Sequence, residues 1–367
     1  MTNRPYAPRP ITQMRYGCII IPMLVGGLVL GALLYVRLTA SDQLIVLEQE
    51  VLLVRALPDD EASLIARFGE GYTVEITGRT DDWRWLEIEV WDGQRGWIKR
   101  PLSKLVWQLD AKVTPAIASV QADPPVEPIE EKMISIPATT FTMGSPPTLG
   151  KEDEHPAHPV SLSAFEIDQT EVTIGQYWQC VIAGVCAAPT SYATQTHPHY
   201  LSNPAFDNYP MVNVPWTEAN AYCLWRGKRL PTEAEWEMAA SWDIERGAKS
   251  FWVWGNDPSQ GQGNVAEATL TQTTLVGSFT TDQSPAGVLD MAGNVSEWVF
   301  DWYKVDYYSV TDETDPVGPT HRRGEGAGRV IRGGSFADTD LNQARSANRR
   351  YQAEVYGYPT VGFRCAR

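Results

Sequence analysis

Apolar and polar residues alternate along much of the chain between residues 44 and 108. Residues 72–76 (YTVEI) and 85–91 (WLEIEVW) both follow this pattern, which is the period of half-buried β-strands. Asp92 and Gly93 follow the second stretch, and this dipeptide is a strong signal for a tight hairpin turn. The pattern therefore predicts a small all-β domain over residues 44–108.

Helical signals occur in three later stretches, residues 173–184, 217–227 and 231–242. The first has apolar residues at i, i+3 and i+4 and stops at Gly184, and the second stops at Gly227. The third begins with Thr232 as helix N-cap and has Glu235 three residues later, the pattern of a capping box. Gly, Pro, Asn and Asp interrupt the chain every few residues elsewhere. We therefore predict one irregular α+β domain with short strands and many ordered loops over residues 132–367.

An uncharged apolar run of nineteen residues, from Cys18 to Val36, precedes both domains. A helix needs about 20 residues to span a bilayer. The charged residues on the N-terminal side of the run are all basic: Arg4, Arg9 and Arg15. We predict a single-pass anchor in the cell membrane over residues 18–38, with residues 1–17 in the cytoplasm and the rest of the chain outside. A cleaved signal peptide is the alternative, but it would need a shorter apolar core and a small-x-small cleavage site. A lipoprotein signal would place its cysteine after the apolar core, whereas Cys18 precedes it.

The acidic composition narrows the set of expected partners. The chain has 30 Lys and Arg against 45 Asp and Glu, a formal net charge of −15. Because an acidic chain repels phosphate backbones, we expect no nucleic acid partner, and local binding of cations is favoured instead. Residues 109–131 are rich in Pro and acidic residues and lack an apolar period, which predicts a linker between the two domains.

Four of the five cysteines fall in the predicted outside portion, where disulfides persist. Four cysteines allow three pairings. Cys180 and Cys186 are close enough in sequence for a small local loop, which leaves Cys223 to pair with Cys365. A thiol or metal site is the alternative, but there is no CxxC spacing, and no histidine lies close in sequence to Cys223 or Cys365.

Six motifs occur in order over residues 132–367: IPATTFTMGS, FEIDQTEVTIGQYWQCV, YPMVNVPWTEANAYCLWRGKRLPTEAEWEMAA, LDMAGNVSEWVFDWY, RVIRGGSF and VGFRCAR. Together they closely resemble the formylglycine-generating enzyme / sulfatase-modifying factor family. The resemblance implies a C-type-lectin-like α+β fold with little regular secondary structure. Cys223 and Cys365 match a structural disulfide of that family, which supports their pairing.

The smaller domain, residues 44–108, resembles the bacterial SH3-like (SH3b) barrel in the order of its segments. Members of that family often bind cell-wall peptides or act as spacers, so a wall peptide or a protein is the expected partner here. Trp83, Trp85 and Trp97 are candidates for a peptide groove. Packing in the core of the domain is the alternative for each of them.

The resemblance also implies a chemistry that this chain has lost. The best-known activity of the family oxidises a sulfatase cysteine to formylglycine with copper and O₂, and two cysteines near the C-terminus bind Cu(I). The position of the first is Asp338 here, and that of the second lies near Gln343. A carboxylate is a hard oxygen ligand and does not replace a soft thiolate. We therefore expect no copper and no formylglycine-generating activity of the usual kind.

Two hypotheses for the function remain. The first is a non-catalytic binding or scaffold protein at the surface of a bacterial cell. The second is an enzyme with a different reaction that reuses the family cleft, because carboxylates and arginines can do acid–base work or hold an anionic substrate. The candidate residues for that cleft are Asp338, Asp340, Arg345 and Arg349. Ion pairs that brace loops are the alternative role for all four.

A loop beginning at Asp290 (DMAGNVSEW) resembles the calcium loop of the family. Calcium takes six to eight oxygen ligands from carboxylates and backbone carbonyls. The resemblance implies ligands from the side chains of Asp290 and Glu297 and the carbonyls of Gly293 and Val295. A second family site would use Asn264 and Val265, although its usual aspartate is replaced near Ala268. The alternative is a loop held by hydrogen bonds from Asn294 and Glu297 alone.

Overall fold

The computed structural model describes residues 43–45, 51–69, 72–80, 82, 84–91, 93–99, 130–191, 193–194, 197–260, 263–265, 272–310, 313–319 and 328–367. The predicted anchor at residues 18–38 and most of the predicted linker lie outside this set. Within the described residues, no helix is long and apolar enough to cross a membrane.

The smaller domain is a six-stranded antiparallel sheet, as the alternating pattern predicted. Its strands are β1 Gln43–Ile45, β2 Leu52–Arg55, β3 Leu64–Phe68, β4 Thr73–Arg79, β5 Trp85–Trp91 and β6 Gln94–Lys99. They are ordered β1-β4-β5-β6-β2-β3. The predicted hairpin joins β5 to β6, with Trp91 paired to Gln94. The core is aliphatic and aromatic and includes Val54, Phe68, Leu86, Ile88 and Ile98.

Two of the three candidate groove tryptophans are buried in this domain. Trp85 is 7% exposed and Trp97 is fully buried. The structure therefore places both in the interior, the alternative given for them above, while Trp83 lies outside the described residues.

The smaller domain packs against the larger one through a charged and an aromatic contact. Arg67 on β3 is 4% exposed and pairs with Asp207 of the larger domain. Trp91 stacks on His199, with ring centroids 4.7 Å apart. Because a buried arginine without a partner is costly, the ion pair favours the docked arrangement.

The three predicted helices are present in the larger domain. They are α1 Ile174–Ile182, α2 Trp216–Trp225 and α3 Glu233–Ser241. Thr232 and Glu235 form the predicted capping box of α3. All nine residues of α3 are buried, including its glutamates. Buried charges are costly unless they are paired, so the surroundings of α3 must supply cations.

Short strands make up the rest of the larger domain: β7 Met133–Ile136, β8 Thr139–Met143, β9 His158–Leu162, β10 Phe165–Asp168, β11 Trp242–Asp243, β12 Ala248–Lys249, β13 Ser296–Trp302, β14 Arg329–Arg332, β15 Arg350–Gln352 and β16 Val361–Phe363. Four of them form one sheet in the order β15-β14-β13-β16, and the others form two-stranded pieces. Few helices and short strands agree with the irregular α+β domain predicted from the sequence.

Both predicted disulfides are present. Cys180 and Cys186 close a short loop at the end of α1, with Cα atoms 5.3 Å apart. Cys223 on α2 is joined to Cys365, which follows β16, with Cα atoms 5.6 Å apart. The second bond ties a helix in the middle of the domain to the C-terminal end of the chain.

We predict that the two disulfides differ in their effect on stability. Replacing Cys223 and Cys365 together with Ala should lower the free energy of unfolding by about 5 kcal/mol, because the bond closes a sequence separation of 142. The matched control replaces Cys180 and Cys186 with Ala, where the separation is 6 and the expected loss is about 2 kcal/mol. Denaturant unfolding of both variants measures the difference. Equal losses would contradict the chain-entropy argument.

Candidate functional site

The Gly-Gly-Ser-Phe turn directly follows β14. Gly333 has a φ of +74°, a left-handed conformation that favours glycine. A Cβ at this position would also meet the Met291 carbonyl at 2.9 Å. Asp338 closes the turn, because its carboxylate accepts the Ser335 N–H at 2.7 Å and its own N–H donates to the Ser335 carbonyl at 3.1 Å. The position of Asp338 is therefore fixed by the backbone of the turn.

Arg350 joins the two positions at which the resemblance places the copper cysteines. Its guanidinium donates to the Asp338 carboxylate at 3.0 and 3.1 Å and to the Gln343 amide oxygen at 2.9 Å. It also donates to the Ser296 hydroxyl at 2.6 Å and the Gly333 carbonyl at 2.7 Å. A cation with its own carboxylate partner therefore lies between the positions that would hold a metal.

The other three candidate cleft residues have separate structural roles. Asp340 accepts the Asn342 N–H at 2.9 Å and caps a short 3₁₀ turn. Arg345 makes a two-pronged ion pair with buried Glu154, at 2.6 and 2.7 Å. Arg349 makes a similar pair with Glu233, at 2.7 and 2.8 Å. The structure thus does not bring these side chains and Asp338 together in one open cleft; it places them where they brace loops.

A buried ionic network lies beneath the turn and pairs the glutamates of α3. Arg332 donates to Glu233 at 3.0 Å and to Glu237 at 2.6 Å. Lys249 binds the other oxygen of Glu237 at 2.5 Å. Burial alone would raise the pKa of Glu237, but the charges of Lys249 and Arg332 lower it to about 2. Sequence reasoning missed this network; its signal is three acids at alternate positions at the start of a helix whose other residues are apolar or small.

An open pocket of about 500 Å³ lies beside Arg350. Its lining includes Lys151, Asp153, Tyr303 and Tyr351. The rings of Tyr303 and Tyr351 are stacked with centroids 4.5 Å apart. Among the described residues that line it, none is a cysteine, histidine or serine. The pocket can therefore offer ring faces and hydrogen bonds, but not the usual nucleophiles.

The predicted calcium loop is only partly available for a cation. Both carboxylate oxygens of Glu297 accept from Arg364, at 2.6 and 2.7 Å, and one also accepts from the Trp236 indole at 2.8 Å. Asp290 accepts the Gly277 N–H. The backbone at Gly293 lies close to the Asn264 carbonyl, but that oxygen already accepts the Asn294 N–H at 2.9 Å. Val295 and Val265 are buried beside the loop.

Glu171 is an acidic residue near this loop that sequence reasoning missed. It is 1% exposed, and its carboxylate lies against that of Asp290, with which it shares a side-chain hydrogen bond. Burial and the charge of Asp290 raise its pKa well above the usual value. The same two causes raise the pKa of Asp282 to about 8. The side-chain oxygen of Asn264 is buried without a partner.

These oxygen donors suit a hard cation such as calcium. Within the described part of the chain, however, no group of three or more Asp, Glu, His or Cys side chains converges as a metal site would require. Glu171 and Asp290 therefore fit a calcium ion only if carbonyl oxygens or water complete its shell. Burial raises the pKa of both groups, and the charge of nearby Arg364 offsets only part of that rise.

Comparison with known proteins agrees with the two-domain organisation. Residues 120–367 match the sulfatase-modifying factor enzyme 1-like domain, and residues 48–105 match the bacterial SH3 domain. The solved structure of PvdO from Pseudomonas aeruginosa is similar with a TM-score of 0.50 and 28% identity, over 64% of this chain and 93% of that chain.

Two curated relatives with different names match a similar share of the chain. The chain is 32% identical over 302 residues to the formylglycine-generating enzyme of Streptomyces coelicolor, a match that covers 68% of this chain and 93% of that enzyme. It is 33% identical over 263 residues to serine/threonine-protein kinase pkn1 of Chlamydia pneumoniae, covering 68% of this chain and 40% of the kinase. Less than half of the chlamydial protein is thus matched.

We predict an acid-dependent loss of stability from Glu237. Its folded pKa of about 2 lies below the usual 4.5, so its contribution is present above about pH 4.5 and is lost as the pH falls towards 2. The shift corresponds to about 3 kcal/mol. Glu237→Gln should lower the free energy of urea unfolding at pH 7 and flatten its decline between pH 5 and pH 2. Glu245→Gln, at an exposed position, is the control, and an equal effect in both variants would contradict the assignment.

Proposed function

Because the chain belongs to the family of sulfatase-modifying factor enzyme 1-like domains yet has no cysteine at either copper position, we propose that it is a non-catalytic binding or scaffold protein of the cell surface. The observation that carries this proposal is the bridge from Arg350 to Asp338 and Gln343. A paired cation occupies the place of the metal chemistry. A soft metal ion such as Cu(I) finds no thiolate there.

The proposed location follows from the N-terminal segment. An anchor over residues 18–38 would hold the chain in the membrane, with both domains outside the cytoplasm. Two disulfides in the larger domain support an oxidising compartment. We propose a peptide of the cell wall or a protein as partner of the smaller domain, and no nucleic acid because of the net charge of −15.

Calcium is proposed as a structural ion of the larger domain. Asp290 remains the predicted ligand that is best placed for it, and Glu171 supplies a second buried carboxylate directly beside it. Glu297 is less suitable because Arg364 occupies both of its oxygens. The ion would balance charge among Glu171, Asp290 and Asp282, and its role would be to hold the loop rather than to act on a substrate.

An oxygen-uptake experiment tests the non-catalytic assignment. We expect the purified chain, given Cu(I) or Fe(II), O₂ and a cysteine-containing sulfatase peptide, to consume no more O₂ than metal and peptide alone. No formylglycine should appear by mass spectrometry, because neither copper position carries a thiolate. The Streptomyces coelicolor relative serves as positive control. Protein- and metal-dependent O₂ consumption, or a modified peptide, would support the enzyme alternative instead.

Thermal unfolding tests the calcium proposal. After treatment with chelator, added Ca²⁺ should raise the Tm of the wild-type chain, because an ion that binds the folded state stabilises it. Glu171→Gln and Asp290→Asn should each remove most of this rise, whereas Asp306→Asn, at an exposed surface position, should leave it intact. If the wild-type Tm is the same in chelator and in Ca²⁺, the loop holds no calcium.

A further inference from the structure

The pocket beside Arg350 presents an aromatic surface that a ligand can reach. Tyr351 lies on β15 with 44% of its surface exposed, and it stacks on Tyr303 at a centroid distance of 4.5 Å. Val305, 50% exposed, extends the apolar part of the lining. The face of an aromatic ring carries partial negative charge and attracts cations.

Two carboxylates border the same pocket. Glu152 is exposed, whereas Asp153 is 7% exposed and accepts the Tyr303 hydroxyl at 2.7 Å. Among the described residues, neither carboxylate forms an ion pair. Arg349 approaches Asp153, but it donates there to the main-chain carbonyl, at 2.9 Å. Exposed Glu152 is therefore the carboxylate that meets a ligand directly, whereas Asp153 is buried and already bonded to Tyr303.

The cations of the lining are largely neutralised by other groups. Arg349 is paired with Glu233, and Arg350 is paired with Asp338. Lys151 donates to the Asn348 side-chain oxygen at 2.8 Å, which is an uncharged partner. Two acids thus stand against one lysine that has no carboxylate partner among the described residues. Because Glu233 also pairs with Arg332, the buried pairs add no negative excess to the pocket. The negative charge that an incoming ligand meets is that of exposed Glu152, together with the net charge of −15 of the whole chain.

We propose that this pocket binds a protonated amine carried on an apolar stem, such as a lysine side chain presented by a partner peptide. The stem would pack on the Tyr351 ring and Val305, and the ammonium group would lie near Glu152 and Asp153. This inference rests on the proposed binding function and names the chemical class of its ligand. The acidic surface of the chain would also attract such a cation from a distance.

The charge of Lys151 fixes the direction in which the affinity for a cationic ligand should change. Its ammonium group lies on the lining and repels a cationic ligand, so removing its charge should strengthen binding. Removing the Tyr351 ring or the charge of Glu152 should weaken binding. A purely steric or apolar pocket would respond to the loss of the ring but not to either change of charge.

Calorimetric titration of the full chain with three probes tests the inference. The probes are the blocked peptide acetyl-Ala-Lys-Ala-amide, the same peptide with norleucine in place of lysine, and n-butylamine. We expect the lysine peptide to bind at least tenfold more tightly than the norleucine peptide at low salt, since the two differ mainly in the ammonium group. Binding of n-butylamine as tight as that of the lysine peptide would assign the site to a free amine; weaker binding would assign it to a peptide side chain. Equal binding of the two peptides, or none by any probe, would overturn the proposal.

Four variants complete the experiment. Relative to the wild type, Lys151→Gln should tighten binding of the lysine peptide about threefold or more, and Tyr351→Ala and Glu152→Gln should each weaken it by a similar factor. Tyr356→Ala, a tyrosine 64% exposed outside the lining, is the matched control and should change nothing. If Lys151→Gln and Glu152→Gln leave the affinity for the lysine peptide unchanged, the proposed attraction between the pocket and the ammonium group is wrong. If no probe binds and the chain consumes no O₂, the amine ligand is rejected but the non-catalytic function is not. If the chain consumes O₂ in the earlier experiment, the non-catalytic function itself is rejected.

Discussion

The pairing of the glutamates on α3 is the interaction on which the larger domain depends. This helix is buried along its whole length, so Glu233 and Glu237 would be very costly without cations. Arg332 and Arg349 supply them. These arginines come from β14 and from the chain just before β15, so the same pairs fix the C-terminal loops against the helix. In a domain with few regular elements, such bonds replace part of the cross-linking that a large sheet would provide.

Local signals predicted the parts of the fold that neighbours in sequence determine. The capping box at Thr232, the glycine stops and the hairpin at Asp92 all depend on residues a few positions apart. The disulfides could also be predicted, because four cysteines allow few pairings. The side-chain contacts of the site could not be predicted from the sequence. Arg349 finds Glu233 across 116 residues, and no periodicity encodes such a partner.

The same limit explains why the sequence left two roles open for the candidate cleft residues, a shared cleft or ion pairs that brace loops. Asp338, Asp340, Arg345 and Arg349 are close along the chain, and proximity in sequence suggested a shared cleft. Their side chains instead turn towards different partners, and the pocket beside them is lined by residues from four separate segments. Glu171 was missed for a related reason: it precedes α1, far from the calcium loop in sequence, and only the fold brings it near Asp290.

Arg350 also limits how this protein can change over evolutionary time. Its guanidinium makes five hydrogen bonds to four groups, among them Asp338 and Gln343, at the positions where the resemblance places cysteines. Returning a cysteine to position 338 would remove the carboxylate and leave a partly buried cation next to the new thiol. A second cysteine at position 343 would remove another acceptor, and neither step alone gives copper a complete site. Placing cysteines at both positions would therefore remove two of the four groups that hold Arg350, so its guanidinium would need a new partner before a metal could bind there.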